Sequence, residues 1–269
     1  MVLQSGDRTG FLAVLTHPYE SSNEDNNPRS SLPLTEFHDW YESEHIPLRL
    51  NHLEQFLCGA RYKAISSSKQ SLETNAPDWL ALYLLSSPDI FTQSVYTSLR
   101  EKRSEREKDV MKRIEVLVRI TGEVLAVNSP PQDGNNKTGT GFEPGLPSPW
   151  VLTHELLLDD DELAKETLAT WNNPGDAYSS HSLIRSHLIK VLESGVARFG
   201  LGVSEPRDDP HGLKSGYWIV HEFATKDGAE VFAKKSLGST STQRDKVEWT
   251  LWEVYKAYPC IAQGNLKPN

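Results

Sequence analysis

Val14-Leu15-Thr16-His17 recurs as Val151-Leu152-Thr153-His154, and Gly59-Ala60-Arg61-Tyr62 is echoed by Val196-Ala197-Arg198-Phe199. Both pairs stand the same 137 positions apart (154 − 17 and 198 − 61). Two separated matches at one offset, in a chain whose order of apolar segments also repeats, read as a duplication. Between the copies, the stretch from Ser129-Pro130-Pro131 through Pro149 is polar, rich in glycine and proline and without period, which reads as a linker. The expected organisation is therefore a first unit over 1–128, a linker over 129–149 and a second unit over 150–269.

Working outward from the repeat, the apolar pattern of the first half predicts strands over 11–19, 56–65, 79–85 and 114–127, with helices over 34–50 and 88–113. The second half predicts strands over 150–158, about 195–203, 217–224 and 249–258. Its helices are expected after the anionic cap Asp159-Asp160-Asp161 and over about 227–237. Each half is then a βαββαβ unit, whose helices cover one sheet face and leave the other needing a partner. The second copy supplies that partner, and the linker makes the pairing intramolecular. The expected fold class is α+β, with two fused ferredoxin-like units closing into one barrel.

The 269 residues are 37% hydrophobic and 24% charged, with a formal net charge of −9. That describes a globular chain and weighs against a nucleic-acid partner. The polar start Met1-Val2-Leu3-Gln4-Ser5-Gly6-Asp7 and the lack of a long apolar run predict no membrane segment and a cytoplasmic location. Cys58 and Cys260 are too few for a disulfide scaffold and are expected to be buried thiols. The nine histidines include the evenly spaced His38, His45 and His52, yet Pro47 interrupts any common helix and no His-Glu-x-x-His or Cys-x-x-Cys is present. No protein-bound metal is expected. Without a Gly-rich dinucleotide loop, P-loop or nucleophile elbow, no cofactor is expected either. The mixed run Arg100-Glu101-Lys102-Arg103-Ser104-Glu105-Arg106-Glu107-Lys108-Asp109 reads as a solvated helix face with pairs such as Arg103–Glu107.

The stretch with most chemical content is Phe37-His38-Asp39-Trp40-Tyr41-Glu42-Ser43-Glu44-His45-Ile46-Pro47-Leu48. Helical spacing puts Leu34, Phe37, His38, Tyr41 and His45 on one face, away from Asp39, Glu42 and Ser43. Pro47 should kink or stop the helix, leaving His45 in its last turn. There the helix dipole and Glu44 favour the charged imidazole and burial opposes it, so titration near neutrality and a general acid or base role are expected. The plainer reading is that His45 and Tyr41 pin the helix end to a neighbouring carbonyl. In the first strand Phe11, Ala13, Leu15 and His17 share a face. If that face meets the helices, His17 approaches His45, and His154 can do likewise in the second half; alternatively both are structural. Arg61 and Arg198 can clamp a carboxylate or phenolate, or simply pair with an acid. In Trp218-Ile219-Val220-His221-Glu222-Phe223, either His221 or Glu222 must face inward and needs a partner there.

The pattern Phe37-x-x-Trp40-Tyr41-x-x-Glu44-His45-Ile46-Pro47, followed by Arg61-Tyr62 and the strand Trp79-Leu80-Ala81-Leu82-Tyr83, resembles the EthD-like branch of the dimeric α/β-barrel superfamily over most of residues 9–128. The second half matches in element order only. Two departures stand out: Leu53-Glu54-Gln55-Phe56 replaces the family's Pro-Gly-aromatic step, and Tyr178-Ser179-Ser180-His181-Ser182-Leu183-Ile184 has nothing equivalent to Glu-His-Ile-Pro. The resemblance implies an intramolecular dimeric α/β-barrel with ligand pockets between a sheet and its own helices. It further implies cofactor-free chemistry on polyketide-like molecules of fungal natural-product pathways. On that basis the expected protein is a cofactor-independent lyase or cyclase of secondary metabolism, with His45, His17 and Tyr41 catalytic and Arg61, His38, Trp40, Tyr83 and His154 binding substrate. The alternatives are a cofactor-free oxygenase of phenols or anthrones and a non-catalytic small-molecule binder. The expected partner is a small molecule, and the pseudo-dimer is expected to be a monomer or weak homodimer.

Overall fold

A computed structural model of the protein describes residues 8–20, 30–68, 76–129, 147–171, 182–201, 209–237 and 247–258. Its eight strands are β1 (Gly10–Pro18), β2 (Phe56–Ser67), β3 (Trp79–Leu85), β4 (Ile114–Asn128), β5 (Trp150–Leu156), β6 (Leu183–Ala197), β7 (Tyr217–Phe223) and β8 (Trp249–Tyr258). They close an antiparallel barrel in the order β1-β3-β2-β8-β5-β7-β6-β4. Closure removes every free edge. Within the ring the halves run in the same spatial order, β4-β1-β3-β2 and β8-β5-β7-β6, joined at the β2–β8 and β4–β6 seams. Helices pack outside the barrel, and the whole is a dimeric α/β-barrel-like fold. No helix of the described residues is long and apolar enough to cross a membrane.

Strand alternation reverses the facing expected for His17. Leu12 and Val14 of β1 share a cavity with Trp40 and Tyr41 of the helical layer, so Phe11, Ala13, Leu15 and His17 turn to the barrel lumen. There Phe11 meets Trp218 of β7 at 5.9 Å between ring centroids. In β5 the phase is opposite: His154 packs at 5.2 Å against Trp171 of α5 (Asp161–Trp171), while Thr153 turns inward and accepts from Trp252 Nε1 at 2.9 Å. The two Val-Leu-Thr-His strings are therefore one residue out of step in the pleat, which sends equivalent letters to opposite faces. The second echo fails as well. Arg61 lies inside β2, whereas Arg198 lies beyond the end of β6 and precedes Phe199, whose φ is +52°. In strand pairing Arg61 stands opposite Ala81 of β3 and meets the Tyr41 ring on the helix side, whereas Arg185, opposite Glu222 of β7, meets that carboxylate on the lumen side. What repeats is strand order, not the 137-residue offset.

Three elements differ from expectation for local reasons. The strand expected at 195–203 is β6, at 183–197; Ile184, Leu188 and Val191 imitate helical spacing and hid its start. The helix expected over 88–113 is a 3-10 turn at Pro88–Thr92, then α3 (Ser94–Glu101) and α4 (Glu105–Arg113). Ser104 restarts the chain by accepting the Glu107 N–H at 2.9 Å. The helix expected over 34–50 is α1 (Leu34–Trp40), a π-helical turn (Tyr41–His45) and α2 (Pro47–Leu50), with Pro47 at the first position of α2, where its missing N–H costs nothing. In the second half α6 (Lys226–Phe232) also runs into a π turn, Ala233–Leu237. Cys58 is buried in the core. Cys260, His181 and most of the expected linker lie outside the described residues.

Candidate active site

Between the first-half sheet and its helices lies a cavity of about 410 Å3. Its floor is Leu12 and Val14 of β1, Tyr83 of β3 and Leu117 and Arg119 of β4. Trp40, Tyr41, His45 and Arg49 cover it, and Tyr96, Arg100, Arg103, Lys108, Met111 and Lys112 of the α3–α4 region form its side. The far wall belongs to the second half, through Glu193, Gly195 and Ala197 of β6 and Gly200 and Leu201 beyond it. A volume of this size, mostly apolar with a few aimed polar groups, is typical of a small-molecule site.

The widened turn places His45 against the helix that follows the Ser104 break. Ile46 N–H reaches Tyr41 C=O at 2.9 Å, five residues back, and Arg49 donates to the His45 carbonyl at 2.7 Å. His45 Nδ1 lies 3.2 Å from Glu107 Oε1, with side-chain exposures of 13% and 3%. Burial pushes the Glu107 carboxyl up, yet the His45 hydrogen bond and the charges of Arg49 and Arg103 outweigh it and hold it below its ordinary value. An ionised Glu107 can only accept, so Nδ1 carries the proton and the lone pair is on Nε2. Burial, reinforced by Arg49 and opposed by Glu107, lowers the imidazole pKa to about 3. Titration near neutrality, expected from the helix dipole, does not occur because desolvation is the larger effect. His45 is a neutral base of fixed tautomer at physiological pH.

Three other buried polar atoms on the cavity have no hydrogen-bond partner among the described residues: Trp40 Nε1, Tyr83 Oη and Arg103 Nε. Trp40 and Tyr83 are each only 1% exposed. Burial raises the Tyr83 hydroxyl pKa well above its ordinary value, so it keeps its proton. Tyr41, buried beside His45 at 5.0 Å between rings, is raised for the same reason.

Of the residues expected at a site, the structure gathers His45, Tyr41, Trp40 and Tyr83 around this cavity. His38, Arg61, His17 and His154 stand elsewhere. Arg61 is buried in an aromatic cage, its guanidinium 4.0 Å from the Tyr41 ring centroid, 5.1 Å from those of Phe37 and Tyr255 and 5.4 Å from that of Trp79. It reaches His38 Nδ1 at 2.9 Å, and burial and this cation lower the His38 pKa to about 4. His17 pairs with Asp78 at 3.2 Å and does not reach His45. Arg198 pairs with Asp209 through two contacts of 3.0 Å.

Among the described residues, the helix-facing side of the second-half sheet carries a chain of hydrogen-bonded polar side chains. Ser186 Oγ lies 2.7 Å from His221 Nδ1, His221 Nε2 lies 3.0 Å from His154 Nε2, and His154 Nδ1 donates to the Glu155 carbonyl at 2.9 Å. That last bond makes His154 Nε2 an acceptor, so His221 donates to it and accepts from Ser186. Burial holds both imidazoles neutral, His154 at about 4 and His221 well below its ordinary value. On the lumen side of β7, Glu222 is bound by Arg185 at 3.0 Å, His187 at 2.5 Å and Ser148. Both members of the His221-Glu222 pair are thus buried and partnered, one on each face.

Glu107, Arg49, Arg103 and Arg119 were not among the expected site residues. Ser104-Glu105-Arg106-Glu107 has the spacing of a capping box, of which only the Ser104 half forms, and Glu107, Val110 and Met111 share a helical face. That signal marks Glu107 as inward-facing, and 2% exposure bears it out against the solvated-face reading.

No family model and no curated protein matches the sequence. Among solved structures, an anthrone oxidase-like protein matches with a TM-score of 0.54 at 11% identity, over 94% of each chain. A provisionally assigned monooxygenase from Fusobacterium nucleatum matches with 0.45 at 9%, over 95% of this chain and 96% of that one. A provisionally assigned chlorite dismutase matches with 0.46 at 12%, over 97% and 100%. At such identities the likeness to the first is one of fold.

Proposed function

We propose that the protein is a cofactor-independent enzyme in which His45, oriented by Glu107, removes a proton from a small oxygen-bearing substrate held in the first-half cavity. The observation that carries this reading is the buried Nδ1–Glu107 contact at 3.2 Å, which leaves a neutral imidazole with Nε2 as base on a cavity that also holds unpartnered donors. Proton transfer to Nε2 leaves an enolate or phenolate on the substrate, and that anion, together with Glu107, supplies the negative charge that offsets the burial otherwise disfavouring the imidazolium. Tyr83 O–H and Trp40 N–H can stabilise the oxygen where that charge develops. From such an anion a β-hydroxyl can leave and take the proton back from His45 as water, or a ring can close onto a second carbonyl; loss of carbon dioxide would give the same anion in place of proton removal, and the lyase or cyclase reading on polyketide-like molecules rests on the EthD-like pattern around His45. A second reading, attack of the same anion on dioxygen, is favoured by the structural likeness to the anthrone oxidase-like protein. The common strand order of the halves supports two fused ferredoxin-like units, an intramolecular pseudo-dimer with no free sheet edge to pair with another molecule.

The test is to incubate the purified protein with aromatic polyketide extracts and follow mass changes and oxygen consumption, beside His45→Gln. The amide can still donate to Glu107, so folding is preserved while the base is lost. Turnover is expected to fall about a hundredfold or more with the thermal midpoint retained. Undiminished turnover in that variant would sink the proposal. Oxygen uptake matching product would select the oxygenase reading.

A further inference from the structure

The chain carries 37 acidic against 28 basic residues, yet its cavity reverses that balance. Arg49, Arg100, Arg103, Lys108, Lys112 and Arg119 line it, and among the described lining residues Glu193 is the one carboxylate. Part of this charge is answered locally: Arg119 reaches Glu193 at 3.1 Å, Lys108 reaches Glu105 at 2.7 Å, and Arg103 lies 3.9 Å from Glu107. Arg49 spends a donor on the His45 carbonyl. The remainder is unanswered. Arg103 Nε, whose 3.9 Å ion pair with Glu107 is too long for a hydrogen bond, is buried with no hydrogen-bond acceptor among the described residues, and burial, with Arg100 and Arg49 close by, makes its charge harder to hold despite Glu107. Trp40 Nε1–H and Arg103 Nε–H can only donate, and Tyr83 O–H can donate as well. A buried donor left unpaired is destabilising, so such groups are kept where something accepts from them.

We propose that the cavity binds an anionic, oxygen-rich aromatic molecule, a carboxylate or ionised phenol, whose charge is met by Arg103 and Arg49 and whose other oxygens accept from Trp40 and Tyr83. The inference rests on the cavity being the substrate site, and adds that the substrate enters already ionised. The apolar floor of Leu12, Val14 and Leu117 receives the ring system, and the exposed Arg100 and Lys112 draw anions toward the mouth.

Calorimetric titration of the full chain with 2-naphthoate and 2-naphthamide tests this, because the two probes share shape and a carbonyl and differ in charge. At low salt the carboxylate is expected to bind at least about tenfold more tightly, with the preference shrinking as salt rises. Arg103→Gln should bring the two affinities within about threefold. Lys226→Gln, which removes the same charge outside the cavity, should leave the preference intact. Tyr83→Phe should weaken both probes alike. If Arg103→Gln does not fold, the exposed Lys112→Gln and the salt series carry the test. Equal affinities, no saturable binding of either probe, or a preference that survives both cavity variants and high salt would overturn the proposal. Catalysis is read separately: selective binding alongside undiminished turnover in His45→Gln would retire the enzymatic reading and leave the anion site standing.

Discussion

At the level of single residues, the site depends on an imidazole that burial keeps from charging. With a pKa of about 3 for His45, the acid limb of kcat/KM is expected to lie below about pH 5, and the rate should be flat from there to about pH 8. A profile falling through pH 6 to 7 would mean a solvated, titrating histidine instead. Glu107 acts through His45 and is a positioning residue. In Glu107→Gln the Nδ1 proton is no longer fixed by an ionised acceptor, so kcat should drop about tenfold or more while KM holds. An equal loss in both, or loss of folding alone, would point to a purely structural glutamate. Much of this was legible from the chain: Tyr41 and His45 follow from helical spacing before a proline, and Trp40 from the EthD-like pattern. Glu107 was hidden because a glutamate flanked by Arg103, Arg106 and Lys108 looks like any exposed ion-pair partner until Ser104 is recognised as a cap.

At the level of elements, two irregular helical turns and one strand seam shape the cavity. The π turn at Tyr41–His45 adds one residue to a helical turn and re-aims His45. The break at Lys102–Ser104 lets α4 swing Glu107 inward. Neither is written as periodicity, which is why a helix over 34–50 and another over 88–113 were the natural expectations. The β4–β6 seam forms the far wall, and there Gly122 allows close approach: a Cβ would stand 2.4 Å from Ile189 Cγ2 and 2.6 Å from the Lys190 carbonyl oxygen. Gly122→Ala is therefore expected to lower stability by roughly 1–3 kcal/mol, measured by denaturant unfolding. An unchanged midpoint would show that the seam yields easily. The false repeat has its reason here too, since strand pairing is set by side-chain facing, and a four-residue string carries no information about which face it shows.

Across the whole molecule, buried neutral histidines dominate the response to acid. His38, His45, His154 and His221 all have pKa values lowered by burial, to about 4, about 3, about 4 and well below the ordinary value. Below about pH 6.5 the unfolded chain binds protons at these positions that the folded chain refuses, so the unfolding free energy falls as pH drops. The window runs from about pH 6.5 down to about pH 4. His17, raised by its hydrogen bond to Asp78, works in the opposite sense but alone. Thermal melts at about pH 7.5 and about pH 5 should show a midpoint several degrees lower in the acid sample; a flat or rising midpoint would contradict the neutral packing. The closed ring of eight strands was expected from element order, because two half-covered sheets have few other ways to hide their bare faces. The first-half cavity could not be placed from element order, since an open space between a sheet and its helices depends on side chains such as those that His154, His221 and Trp171 bring together between β5, β7 and α5.

The far wall of the cavity has a consequence for how the chain can vary. Glu193, Gly195, Ala197 and Gly200 belong to the half without the imidazole base, yet they bound the space in which it works. Neither half can be traded out, shortened or left to drift as an independent module, because a single chamber is leased from two landlords. Natural variants of this chain should accordingly be conservative along 193–201 and permissive on the solvent side of α5 and α6.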